Sequence, residues 1–111
     1  MTKADRKYAG ELMNKGLARE RNHLFMKVKE LISKYEAGEA DDRDTYMNLY
    51  SAVQKADKEI ARRYDGINPK MYFDIVMWQY WDKLITYEEL QGFSEEGRAE
   101  VQKIIDRAKN R

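Results

Sequence analysis

Cysteine is absent from this 111-residue chain, which removes disulfides, thiol nucleophiles, cysteine-ligated zinc and iron–sulfur clusters together, and fits a reducing compartment. One proline and six glycines give little of the turn punctuation that a meander of short strands needs, which argues against an all-β fold. There is one histidine, and no H-E-x-x-H, phosphate-binding glycine loop, G-x-S-x-G or dinucleotide fingerprint. Nothing nominates a nucleophile or a metal set, so the chain reads as non-enzymatic, without cofactor or metal. No apolar run approaches the ~20 residues that cross a bilayer, and the opening Met1–Lys7 has no apolar stretch behind it to act as a secretion signal. The expectation is a cytoplasmic protein with no membrane partner and no evident small-molecule substrate.

What is present is a chain that should fold. Hydrophobic residues make up 42% and charged residues 37%, and eight Tyr, three Phe and two Trp supply large anchors that offset the entropy of ordering the backbone. The net charge of +1 hides an asymmetry: Lys and Arg outnumber Asp and Glu nine to four through Lys34, and are outnumbered twelve to sixteen from Tyr35 onward. Opposite-sign parts of one chain are expected to pair within the fold or to lie on solvated helix faces.

The apolar spacing is helical throughout. Residues 1–16, with Gly10, Gly16 and only Tyr8, Leu12 and Met13 as sizeable apolar side chains, read as frayed or as a separate short helix, the alternative being that the next helix begins earlier and holds both glycines inside it at a cost of about 1 kcal/mol each. From Leu17 to Tyr35 the stripe Leu24, Val28, Leu31, Tyr35, widened by Phe25 and Ile32, predicts an amphipathic helix. The acid-rich stretch 36–42 loses the stripe and reads as a turn. Glu39, Asp41, Asp42 and Asp44 lack the alternate ligands, central glycine and terminal glutamate of a calcium loop, and suit helix capping instead. Residues 43–64 predict the clearest helix, one face being Tyr46, Leu49, Tyr50, Val53, Ala56, Ile60 and Tyr64, and Gly66 is placed to end it.

Asn68 and Pro69 then read as a cap and a first helical position, opening a very apolar helix at about 69–83 that should lie centrally. Thr86 with Glu89 reads as a capping box closed by Gly92. Ser94 caps a last helix with Glu95 and Glu96 in its first turn and Val101, Ile104, Ile105 and Ala108 inward. With no repeat or linker to divide the chain, the expected fold is all-α, one compact domain, an irregular bundle of four to five helices over residues 1–111.

Within the 69–83 helix the wheel separates two apolar groups. Phe73, Val76, Met77, Tyr80 and Leu84 form ordinary core. Opposite them Trp78 falls between Asp74 and Asp82, with Met71 and Ile75 close by and Trp81 on the flank. Large rings among charges make Met71, Ile75, Trp78 and Trp81 the candidate partner-binding residues, for a protein partner or a second copy. The alternative is a nucleic-acid accessory role for Arg19, Arg21, Lys27 and Lys29, although at helical spacing these bases do not share one tight face. His23 reads as a surface or rim imidazole.

The run Leu84-Ile85-Thr86-Tyr87-Glu88-Glu89-Leu90 resembles the turn of small bacterial helical-hairpin oligomerisation segments, over seven residues that any capping box ahead of a hydrophobic residue produces. No residue role is carried over from it. In size and style the chain is similar to small bacterial or phage accessory proteins, so the expected function is protein–protein interaction, by self-association or by capping a larger partner.

Overall fold

The computed structural model describes residues 1–110, which form five α-helices: α1 (Lys3–Glu36), α2 (Asp42–Tyr64), α3 (Tyr72–Trp81), α4 (Tyr87–Leu90) and α5 (Glu95–Lys109). A 3-10 turn, Pro69–Met71, leads into α3, and no strand occurs among the described residues. The fold is all-α, and the helices pack against one another. Their contacts gather into two compact units, one built from Met1–Leu17 with the chain from Gly66 onward, the other from Ala18–Asp65.

The local signals act where the sequence places them. Asp41 accepts from the Asp44 amide at 2.7 Å to start α2. Asn68 accepts from the Lys70 amide at 3.0 Å ahead of Pro69. Thr86 and Glu89 close the full capping box of α4, with Thr86 N–H donating to Glu89 Oε1 at 3.0 Å and Glu89 N–H to Thr86 Oγ1 at 3.1 Å. Ser94 caps α5, its hydroxyl oxygen accepting from Gly97 N–H at 3.2 Å. Turns follow the same logic: Gly38, at φ 78°, lets the chain leave α1 with the Gly38 and Glu39 amides returning to Tyr35 and Lys34 carbonyls.

In the first unit the N-terminal residues are neither frayed nor a separate helix. They are the opening turns of the 34-residue α1, and Asp5, Ala9, Leu12, Met13 and Gly16 are all buried there. What the composition disguised as weakness is close packing. A Cβ on Gly16 would collide with the side-chain amide of Gln79, and that fully buried amide donates to the Met13 carbonyl at 2.9 Å. α3 therefore lies directly against α1. Tyr8 Oη donates to the Glu89 carbonyl at 2.6 Å, and its ring meets Phe93 edge-on at 5.0 Å. Phe93, almost fully buried, also meets Phe73 at 5.6 Å, so the centre of this unit is aromatic.

Asp5 fastens the start of α1 to the start of α5. Ser94 N–H donates to its Oδ1 at 2.8 Å and the Ser94 hydroxyl donates to Oδ2. Gly97 keeps the approach open, since a Cβ there would meet Asp5 Oδ2 at 2.8 Å. The expected helix over 69–83 resolves into the 3-10 turn and the ten residues of α3. It ends where Lys83 takes φ 63°, with the Leu84 and Lys83 amides returning to Gln79 and Tyr80 carbonyls.

The second unit is a helical hairpin. One groove of 360 Å³ is lined by Glu20, His23 and Leu24 of α1 together with Ala52, Lys55 and Ala56 of α2, and Arg63 Nε stands 3.4 Å from Glu20 Oε1. Early residues of this stretch of α1 thus meet late residues of α2, and the helices run antiparallel through the turn at 37–41. The apolar residues between them, Leu24 of α1 and Ala52 and Ala56 of α2 among them, are only half-buried, and Thr45 is the one buried residue of this unit. Two helices alone cannot enclose a core.

Candidate functional site: exposed aromatic surfaces

α3 and the 3-10 turn before it carry the residues the sequence singled out, and the structure sorts them. Trp78 and Trp81 are 51% and 44% exposed, one turn apart on the same side of the helix. Met71 is half-buried in the 3-10 turn. Ile75 does not belong to this surface, being fully buried. The reason is its bearing: at about 100° per residue it lies between Trp78 and Gln79, and Gln79 is the residue bonded to α1. The side of α3 nearest Gln79 is therefore covered, while the turn bearing Trp78 and Trp81 is not.

Trp81 does more than protrude. Its ring forms one wall of a shallow 270 Å³ notch completed by Ile104, Arg107 and Ala108 of α5, and it stacks obliquely on Tyr80 at 5.0 Å. The notch joins apolar walls to a guanidinium, a combination suited to a partner side chain with an apolar body and an acidic neighbour. The sequence pattern assigns Ile104 and Ala108 to the inner face of α5. Their joining with Trp81 depends on tertiary packing that no spacing encodes.

The second unit leaves another apolar surface open. Phe25 and Met26 on α1, and Tyr46, Met47, Tyr50 and Val53 on α2, are all exposed. The face predicted for α2 is thus split, with Leu49, Ala56, Ile60 and Tyr64 on the half-buried side and Tyr46, Tyr50 and Val53 outside.

The basic residues are arranged differently. Arg19 is half-buried, while Arg21, Lys27 and Lys29 are exposed but point to different sides of α1 at helical spacing. Lys34, near them, pairs with Glu30 at 3.3 Å. No continuous strip for a phosphate backbone is formed by these four. His23 is exposed on the groove between α1 and α2.

Asp5 and Tyr8 are titratable groups shifted by their surroundings. Burial pushes at the Asp5 carboxyl upward, but the bonds from Ser94 outweigh it and the carboxyl lies below its usual range. Burial, then the charges of Glu89 and Glu11, raises the Tyr8 phenol. Both groups are spent on packing contacts within the first unit. Among the described residues no three His, Cys, Asp or Glu side chains gather as a metal site, and no helix is long and apolar enough to cross a membrane.

No protein-family model matches the chain, and neither a curated protein nor a solved structure is detectably similar to it.

Proposed function

We propose that this chain is a non-enzymatic helical protein that acts by protein–protein contact, with Trp78 and Trp81 as the anchors of its partner-facing surface. The observation that carries the reading is the pair of half-exposed indoles on a helix whose other apolar side chains are buried or half-buried, beside the notch of Ile104, Arg107 and Ala108. Tryptophan is costly to leave in water, and its enrichment at interface centres reflects a large rigid area with one polar tip. Arg107 gives the notch a preference for a partner segment carrying a carboxylate close to an apolar side chain.

Replacing Trp78 with Lys tests this, because the side chain is exposed and its exchange should leave the fold intact. Protein captured from lysate on the wild-type chain should be lost from the Trp78→Lys chain while helicity and melting stay unchanged. Unfolding of Trp78→Lys, or capture that is indifferent to the exchange, would remove the indoles from the binding surface.

A further inference from the structure

We infer that the α1–α2 hairpin is one half of a four-helix bundle completed by a second copy of the same chain. This rests on the reading of the protein as one that works by contact, but concerns a surface separate from the Trp78 and Trp81 indoles. Besides the seam that joins them, α1 and α2 each carry a second apolar stripe at alternating spacings of three and four. On α1 it runs Phe25, Val28, Ile32 and on α2 Tyr46, Tyr50, Val53, the repeat of a helix meant to be covered along its length.

The two stripes lie on one face of the hairpin. Because α1 and α2 are antiparallel, the same rotational offset from the shared seam turns both to the same side. The pairing that sets Leu24 near Ala52 and Ala56 then places Phe25 beside Val53, Val28 beside Tyr50 and Ile32 beside Tyr46. Val28 and Ile32 are half-buried at its base, and the rings above them are left open: Phe25 is 60% exposed, Tyr46 69% and Tyr50 54%. At about 200 Å² for an exposed ring side chain, these three alone leave about 350 Å² of aromatic surface per copy. Two such faces, with Val28, Ile32, Val53 and the rim around them, reach the ~1,000 Å² that a specific interface requires.

The charges at the ends of the face select a second copy as occupant. On α1 a base, Arg21, stands at one end and an acid, Glu36, at the other. On α2 the order is reversed, with Asp57 across from Arg21 and Arg43 across from Glu36, all four exposed. A two-fold axis along the helices sets Arg21 over the second copy's Asp57 and Glu36 over its Arg43. A two-fold axis across the helices sets Arg21 over Glu36 and Asp57 over Arg43. Either symmetric pairing brings opposite charges together at both ends, so the face is complementary to itself.

Light scattering and sedimentation of the full chain over a concentration series test this. The wild-type chain is expected to be dimeric at the upper concentrations, and Tyr50→Lys should raise the dissociation constant by about thirtyfold or more, as loss of an interface anchor does, with far-UV helicity unchanged. Arg21→Glu should weaken the dimer several-fold. Adding Asp57→Arg restores it if the axis runs along the helices, and adding Glu36→Arg restores it if the axis runs across them. Trp78→Lys should dimerise as the wild type does, which separates this surface from the partner-binding one. A wild-type chain that stays monomeric, a dimer insensitive to Tyr50→Lys, or a dimer broken by Trp78→Lys instead, overturns the inference.

Discussion

Replacing Asp5 with Ala removes the one acceptor that ties the first turn of α1 to the cap of α5. Its carboxylate is 2% exposed and takes both the N–H and the hydroxyl of Ser94. A hydrogen bond to a charged group contributes about 1.5–3 kcal/mol, and the donors left behind cannot readily reach water. Relaxation returns part of two such bonds, so a loss of about 3 kcal/mol is expected at neutral pH. Urea unfolding followed by tryptophan fluorescence is the suitable assay, because Trp78 and Trp81 are the chain's two tryptophans and both lie in the unit that contains Asp5.

The same contact sets an acid response of known sign. A carboxyl held below its ordinary value in the folded state favours folding above its unfolded pKa, about 3.9. That contribution declines as the pH falls through the folded value. The gap between wild type and Asp5→Ala should therefore be full at pH 7 and narrow progressively below about pH 4. Asp5→Asn keeps an acceptor for the Ser94 amide and should fall between the two at neutral pH, without the acid-dependent part. A loss under about 1 kcal/mol in Asp5→Ala at pH 7, or a gap of equal size at pH 7 and pH 3, would refute the reasoning.

Two further substitutions probe the packing from opposite directions. Gly16→Ala, which at an open helix position would add about 1 kcal/mol of stability, should destabilise instead by about 1–2 kcal/mol, because its Cβ would displace the buried Gln79 amide from the Met13 carbonyl; chemical unfolding read by fluorescence gives the sign. Lys83→Gly should stabilise by about 1 kcal/mol, since Lys83 is exposed and holds φ 63° at the end of α3, where only glycine avoids the Cβ penalty. A higher melting temperature is the expected readout, and a lower one would mean that the lysine side chain makes a contact stronger than that penalty.

These positions show which parts of the structure sequence reasoning can reach. α2, the Thr86–Glu89 capping box, the Ser94 cap and the Asn68–Pro69 start were legible because each is a local device, decided by residues within one turn of each other. The first turns of α1 were not. Gly10 and Gly16 lower helix propensity wherever they stand, and only the tertiary neighbours Tyr72 and Gln79 reveal that the missing side chains make room for α3. Buried Asp5 was hidden for the same reason, its partner Ser94 lying 89 residues away.

The candidate surface was legible in part. Trp78 and Trp81 stood out as large rings among charges and are exposed, whereas Ile75 shares their arc of the wheel but falls on the side facing α1. The notch of Ile104, Arg107 and Ala108 had no sequence signal, because α5 meets Trp81 only through the fold. On α2, periodicity located an apolar stripe wider than one neighbouring helix can cover, and so could not say which half, Leu49 or Tyr50, would be left outside.

The claim that the chain works through protein contact is tested most directly by capturing its ligands from lysate with and without nuclease, using the wild-type and Trp78→Lys chains side by side. The account predicts a stoichiometric protein that survives nuclease and disappears with Trp78→Lys. Recovery that vanishes with nuclease, falls steeply with salt and ignores Trp78→Lys would contradict it, and would point to phosphate contacts by Arg19, Arg21, Lys27 and Lys29 in place of the indoles.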